Sequence, residues 1–128
     1  MHYQYGGRDR YNFPGGKPDT GETVPEALKR EWFEELGVQA TVGDLACIAE
    51  THVGGRDMLH MVYWIETIEG EVILNADQTK ALDVVWIDIE QMIGKDFYPA
   101  IEFWIDKGLR SKGDRIPVDL KVVNQPWY

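Results

Sequence analysis

The chain has 128 residues, of which 44% are apolar, and 13 basic against 22 acidic side chains give it a formal charge of −9. This length and composition predict one folded domain over residues 1–128. The acidic balance excludes attraction of duplex nucleic acid through the overall field. No apolar run reaches the roughly 18 residues a membrane span needs, and no basic-then-apolar leader opens the sequence. Cys47 is the only cysteine, so no internal disulfide forms and a reducing, cytoplasmic setting is expected.

In chain order, "HYQY" reads as the end of a strand whose partner is absent, so the sheet is expected to be short of its first N-terminal strand. Residues 6–22, rich in Gly, Pro, Asp and Arg, predict a loop. Thr23 and Glu26 then form a T-x-x-E capping box, Pro25 sits in the first turn, and Gly37 offers a left-handed stop. These signals predict a helix over 24–36, with Ala27, Leu28, Trp32, Phe33 and Leu36 forming its apolar stripe. Strands are expected over 46–53 and 58–68, joined by a "GGRD" turn, and a short one over 71–74. Residues 83–89 read as a strand apolar on both faces, which asks for helices above and below the sheet. A second helix is predicted over 98–109 from the spacing of Ile101, Trp104, Ile105 and Leu109. "VDLKVV" near the C-terminus reads as an edge strand bounded by Pro117 and Pro126. Trp64, Trp86 and Trp104 are expected in the core, and His52 and His60 as packing or edge residues of strands.

The chemistry concentrates in residues 15–38, where six acidic side chains fall in 24 positions. Glu31, Glu34 and Glu35 share one helix face, where like charges repel. Such a cluster is either a solvated face or a cage for a hard divalent cation, which takes oxygen ligands. Arg30 lies one turn from Glu26 and Glu34 and can fix a carboxylate by a forked contact. Pro14, Gly15 and Gly16 permit a sharp turn that brings backbone groups to a ligand. Arg8 and Arg10 precede this turn and are either phosphate contacts or ordinary loop charge, and Tyr11, Phe13 and Phe97 are the candidates for stacking on a base.

Gly16, Glu22, Arg30–Glu31, Glu34–Glu35 and Gly37 resemble the signature of the Nudix hydrolases at seven polar or glycine positions across 23 residues. Trp32 departs from the pattern, standing where an aliphatic residue is usual. The resemblance implies an α/β/α sandwich with a mixed sheet. It also implies hydrolysis of a nucleoside diphosphate linked to another group X, with Mg²⁺ or Mn²⁺. It assigns metal binding to Glu31, Glu34, Glu35 and the Gly15 carbonyl, and orienting roles to Arg30 and Glu22. Glu34 and Glu31 are equal candidates for the general base. In several relatives a later loop supplies that acid, which here points to Asp77, with Glu71 behind it.

Among subgroups, the ADP-ribose proline marker is absent from "HVGGRD", and the Ser-Gln-Pro-Trp marker of NADH-cleaving members is absent after the box. "DFYPAIE" resembles the corresponding stretch of the MutT subgroup, with Ile101 in place of the base-reading asparagine. The expected substrate is therefore a (deoxy)nucleoside triphosphate, cleaved to a monophosphate and pyrophosphate. Nucleoside diphosphate sugars and other dinucleotides are the alternative substrates, and a catalytically silent nucleotide-binding module is the alternative of another class. A sheet edge left without its strand invites pairing between chains, so a homodimer is expected.

Overall fold

A computed structural model describes residues 1–105 and 116–125. Two three-stranded mixed sheets and one long helix make up its regular structure, an α/β architecture. In the first sheet β1 (His2–Tyr5) pairs antiparallel with β2 (Arg8–Asn12), and β2 runs parallel to β5 (Phe97–Tyr98). In the second, β3 (Gln39–Val53) lies between antiparallel β4 (Arg56–Glu69) and parallel β6 (Val118–Val122).

The same device turns both hairpins. Gly6–Gly7 sits at φ +58° and +76°, and Gly54–Gly55 at +57° and +73°. Two consecutive residues at positive φ suit the two-residue turn whose twist matches the flanking strands, and only glycine takes that conformation freely. The expectation of an unpartnered "HYQY" is therefore corrected. Its partner is β2, inside the stretch expected to be loop, and Tyr5 pairs with Arg8 across the turn. Likewise Arg56 and Asp57 belong to β4 rather than to the turn, and β3 starts at Gln39 rather than residue 46.

Helix α1 (Val24–Leu36) has the predicted bounds. The Thr23 hydroxyl accepts from the Glu26 backbone N–H, the Glu26 carboxylate accepts from the Thr23 N–H at 2.8 Å, and Gly37 closes the helix at φ 70°. Trp32 and Leu36 enter a core cluster with Val38, Ala40, Ala81 and Met1, with Leu28 packed against it. Phe33, expected on the apolar stripe, is instead exposed, and the charged Glu35 is buried in its stead.

Three expectations past β4 are corrected. Residues 71–74 form no strand; they run beside the end of α1, where the Ile73 and Asn75 N–H groups bond the Leu36 and Glu35 carbonyls. Residues 83–89 make only a single bridge, Asp83 to His2, before a 3₁₀ turn at Ile89–Gln91. Their apolar letters report packing, by Val84 and Ile87, rather than pairing, and Trp86 is 73% exposed. The second helix starts at residue 102, not 98. Tyr98 precedes Pro99, which favours extended backbone, and it pairs with Asn12 in β5. Residues 106–109 of that predicted helix lie outside the described residues. The edge strand expected from "VDLKVV" is present as β6.

Candidate active site

Glycine chemistry and helix geometry bring the acidic cluster against the loop before α1. A Cβ on Gly16 would stand 2.1 Å from the Glu31 Oε1, so glycine lets the loop backbone lie against that carboxylate as it is now turned. The Gly15 backbone and the Thr79 side chain lie near the Glu35 carboxylate and favour its charged form. Burial first, and then the neighbouring Glu31 charge, push the Glu35 pKa above its ordinary value. Glu35 is the least exposed of the acidic residues on this face, at 9%.

Arg30 sits at the centre of the remaining charges. Its Nε and Nη2 fork onto the two oxygens of Glu22 at 3.0 and 3.1 Å, and its Nη1 reaches Glu31 and Glu34 at 3.0 and 3.1 Å. Nη2 also donates to the Lys17 carbonyl at 3.2 Å, which ties the loop to the helix. Hydrogen bonds to Glu22, then to Glu31, raise the Arg30 pKa further above its already high value, and the Arg30 contact holds Glu22 below the usual carboxylate range. The forked partner is thus Glu22. Glu26, one turn away, is taken by the capping box.

Among the described residues no three His, Cys, Asp or Glu side chains converge as a metal cage in this arrangement. The donor set nevertheless fits a hard cation. It consists of carboxylate and carbonyl oxygens, one carboxylate fills the space a Cβ would take on the loop, and Glu35 is a buried acid repelled by Glu31.

Two cavities flank this centre. One, of about 400 Å³, begins at Gly15–Gly16 and is lined by Phe13, Met58, His60 and Tyr98. The other, of about 310 Å³, is lined by Tyr3, Tyr5, Arg10, Tyr11, Glu35 and Lys80. Asn12 and Tyr98 border both, and the Asn12 Oδ1 is buried without a hydrogen-bond partner among the described residues. Of the substrate contacts expected from sequence, Arg10, Tyr11 and Phe13 line these cavities. Arg8 is exposed on β2 and lines neither, and Phe97 is buried in the core with its ring 5.6 Å from Tyr11 and 5.8 Å from Phe13. Asp77 is exposed in the turn after residue 75, its N–H bonded to the Asn75 Oδ1 at 3.2 Å, and its neighbours Gln78, Thr79 and Lys80 are the ones lining a cavity. Sequence reasoning missed Asn12, Thr51, Thr79 and Tyr98. The pairing of β2 with β5 is what brings Asn12 beside Tyr98, and no local pattern announces it.

The NUDIX domain model matches residues 2–106, and the chain belongs to the Nudix family. It is 35% identical over 91 residues to the CTP pyrophosphohydrolase of Escherichia coli (strain K12), covering 70% of this chain and 64% of that protein. It is 25% identical over 108 residues to the oxidized purine nucleoside triphosphate hydrolase of Mus musculus, covering 83% and 67%. The chain thus spans about two thirds of the length of these relatives. The solution structure of the E. coli ORF135 protein superposes with a TM-score of 0.71 at 24% identity, over 88% of this chain and 82% of that one, a likeness of fold. No helix among the described residues is long and apolar enough to cross a membrane.

Proposed function

We propose that this chain hydrolyses the pyrophosphate bond of a nucleoside diphosphate linked to X, and that its substrate is a (deoxy)nucleoside triphosphate, released as a monophosphate and pyrophosphate. The observation that carries this reading is one loop with two neighbours. Gly15–Gly16 lies against Glu31 and Glu35 on one side and walls a cavity of about 400 Å³ on the other. A phosphoanhydride at the carboxylates then leaves its nucleoside in that cavity, which falls in the size range of small-molecule sites. The names of the two relatives, both acting on nucleoside triphosphates, support the same class.

Members of this family generally use divalent metal ions. Glu31, Glu34, Glu35 and the Gly15 carbonyl would hold Mg²⁺ or Mn²⁺, which when bound neutralises phosphate charge and acidifies water. Glu34 or Glu31, or Asp77 from the neighbouring loop, accepts the proton of the attacking water. Arg30 and Glu22 orient the carboxylates. Arg10 contacts phosphate, and Tyr11 and Phe13 contact the nucleoside. No carboxylate of the motif is missing, which favours an enzyme over a silent nucleotide-binding module. The β4 strand is the outer member of its sheet among the described residues, and a second copy pairing there would give a homodimer. Cys47 is fully buried and its thiol pKa is pushed up to about 11, a state compatible with a reducing cytoplasm.

The test is a panel of nucleotides with Mg²⁺ and product masses as the readout. Nucleoside triphosphates yielding monophosphate and pyrophosphate is the expected result. Reaction of nucleoside diphosphate sugars alone overturns the substrate assignment, and binding without cleavage of any compound overturns the enzyme.

A further inference from the structure

Three polar side chains, two of which line the larger cavity, form a chain that the motif does not use. Thr51 is fully buried, and its Oγ1 lies 2.9 Å from the His60 Nε2 and 3.2 Å from the Tyr98 hydroxyl. The Tyr98 hydroxyl also reaches the Met58 sulfur at 3.4 Å. Thr51 faces Met58 across the β3–β4 ladder and His60 is its diagonal neighbour, while Tyr98 arrives on β5 of the other sheet. The Tyr98 and His60 rings meet edge to face at 5.0 Å, which fixes the plane of the imidazole. Met58, His60 and Tyr98 all line the cavity that starts at Gly15–Gly16.

A hydroxyl donates once, so two arrangements connect Tyr98, Thr51 and His60. In one, Tyr98 donates to Thr51, Thr51 donates to the His60 Nε2, and the His60 proton resides on Nδ1. In the other, the His60 Nε2–H donates to Thr51, Thr51 donates to Tyr98, and Tyr98 donates to the Met58 sulfur. Each hydroxyl proton has an acceptor in both, and so does the Nε2–H of the second. The two hydroxyls keep their protons and rotate, and the imidazole exchanges its own with solvent. The His60 Nδ1 makes no hydrogen bond to the described residues, and it changes character between the two arrangements, a donor in the first and an acceptor in the second. Burial lowers the His60 pKa and keeps the ring neutral, as the exchange requires.

We propose that His60, through Thr51 and Tyr98, is a two-way reader of the nucleobase that accepts either an amino group or a carbonyl at the same ring position. This rests on the nucleotide reading above and extends it. The substrate class becomes nucleotides with little discrimination between cytosine and uracil, or between adenine and hypoxanthine. A fixed donor or acceptor at this wall would reject one member of each pair.

The test uses the whole protein with ¹⁵N-labelled histidine, loaded with CMP or with UMP, and reads the His60 tautomer from its two-bond proton–nitrogen correlations. The expected result is a bare Nδ1 with CMP and an Nδ1–H with UMP. One and the same tautomer with both ligands overturns the proposal. In Tyr98→Phe the second arrangement strands the buried Thr51 proton, so the affinity ratio of UMP to CMP should rise about tenfold. An unchanged ratio also overturns it. If triphosphates are cleaved and His60 keeps one tautomer, this inference alone fails. If no nucleotide is bound or cleaved, the proposed function fails with it.

Discussion

Residues 15–36 and residues 71–91 both lie along the same core and carry similarly suggestive letters, yet they fold by different rules. In the first, nearly every bond that shapes the backbone is local. The capping box closes over three residues, Arg30 reaches Glu34 one turn on, and the loop returns to the helix through Lys17 and Glu22. In the second, distant partners join the local turn bonds: Leu36 and Glu35 for Ile73 and Asn75, and His2 for Leu82 and Asp83. The carboxylates proposed to carry the chemistry sit in the region that specifies itself. The region that depends on others supplies the wall beside it, through Gln78, Thr79 and Lys80.

The contrast breaks most visibly at the carboxylates. Glu34→Gln keeps the helix and the Arg30 contact geometry but removes a charge, and pyrophosphate release should fall by about 10³-fold, a size typical of losing a group that acts in the transition state. Loss of less than about tenfold, measured by monophosphate production, would place the chemistry elsewhere. Gly16→Ala tests the loop, since its Cβ meets Glu31 at 2.1 Å. Activity should drop by about 10²-fold through displacement of that carboxylate, as small misplacements do, and full activity would show that Glu31 is free to move aside.

Smaller effects sharpen the comparison through stability. Thr23→Ala removes the local cap of α1 and should cost about 1 kcal/mol, seen as a Tm lower by about 4 °C in a thermal melt. Trp86→Ser probes the other region. A tryptophan in a two-faced buried strand would cost about 3–5 kcal/mol, whereas the exposed Trp86 should change stability by less than about 0.5 kcal/mol. A large loss would restore the strand expected from its sequence. Last, His60 contributes a pH dependence. Its folded pKa lies below the ordinary 6.5 because burial disfavours its charge, so the unfolded chain binds the proton more readily. The contribution is fully present above pH 6.5 and is lost as pH falls from there through the folded value. Denaturant melts of wild type and His60→Gln should diverge least at pH 5 and most at pH 7.5 or above, and parallel curves would show His60 to be solvated.

What could be read from the sequence follows the same division. The bounds of α1 and the shared face of Glu31, Glu34 and Glu35 were legible because caps and spacing along one helix fix them. The β2 strand was hidden by its letters, Arg8, Asp9 and Arg10, although Gly6–Gly7 between two short runs is a hairpin signal. The apolar run 83–89 misled because branched and aromatic residues mark a surface that packs, whether or not the backbone finds a ladder. Phe97 looked like a stacking ring and is core; Thr51 looked like one more strand residue and is the hinge of a polar chain. Both depend on which strands meet, and pairing between β2 and β5 spans most of the chain.

The central claim, that the face shared by Glu31, Glu34 and Glu35 holds a divalent ion against the Gly15–Gly16 loop, is tested most directly by titrating Mn²⁺ into the protein while following its electron paramagnetic resonance signal. Saturable binding that weakens at least about tenfold in Glu31→Gln and in Glu35→Gln, with helix content unchanged, is the predicted result. Equal binding by all three proteins, or none by the wild type in the presence of a nucleotide, would contradict it.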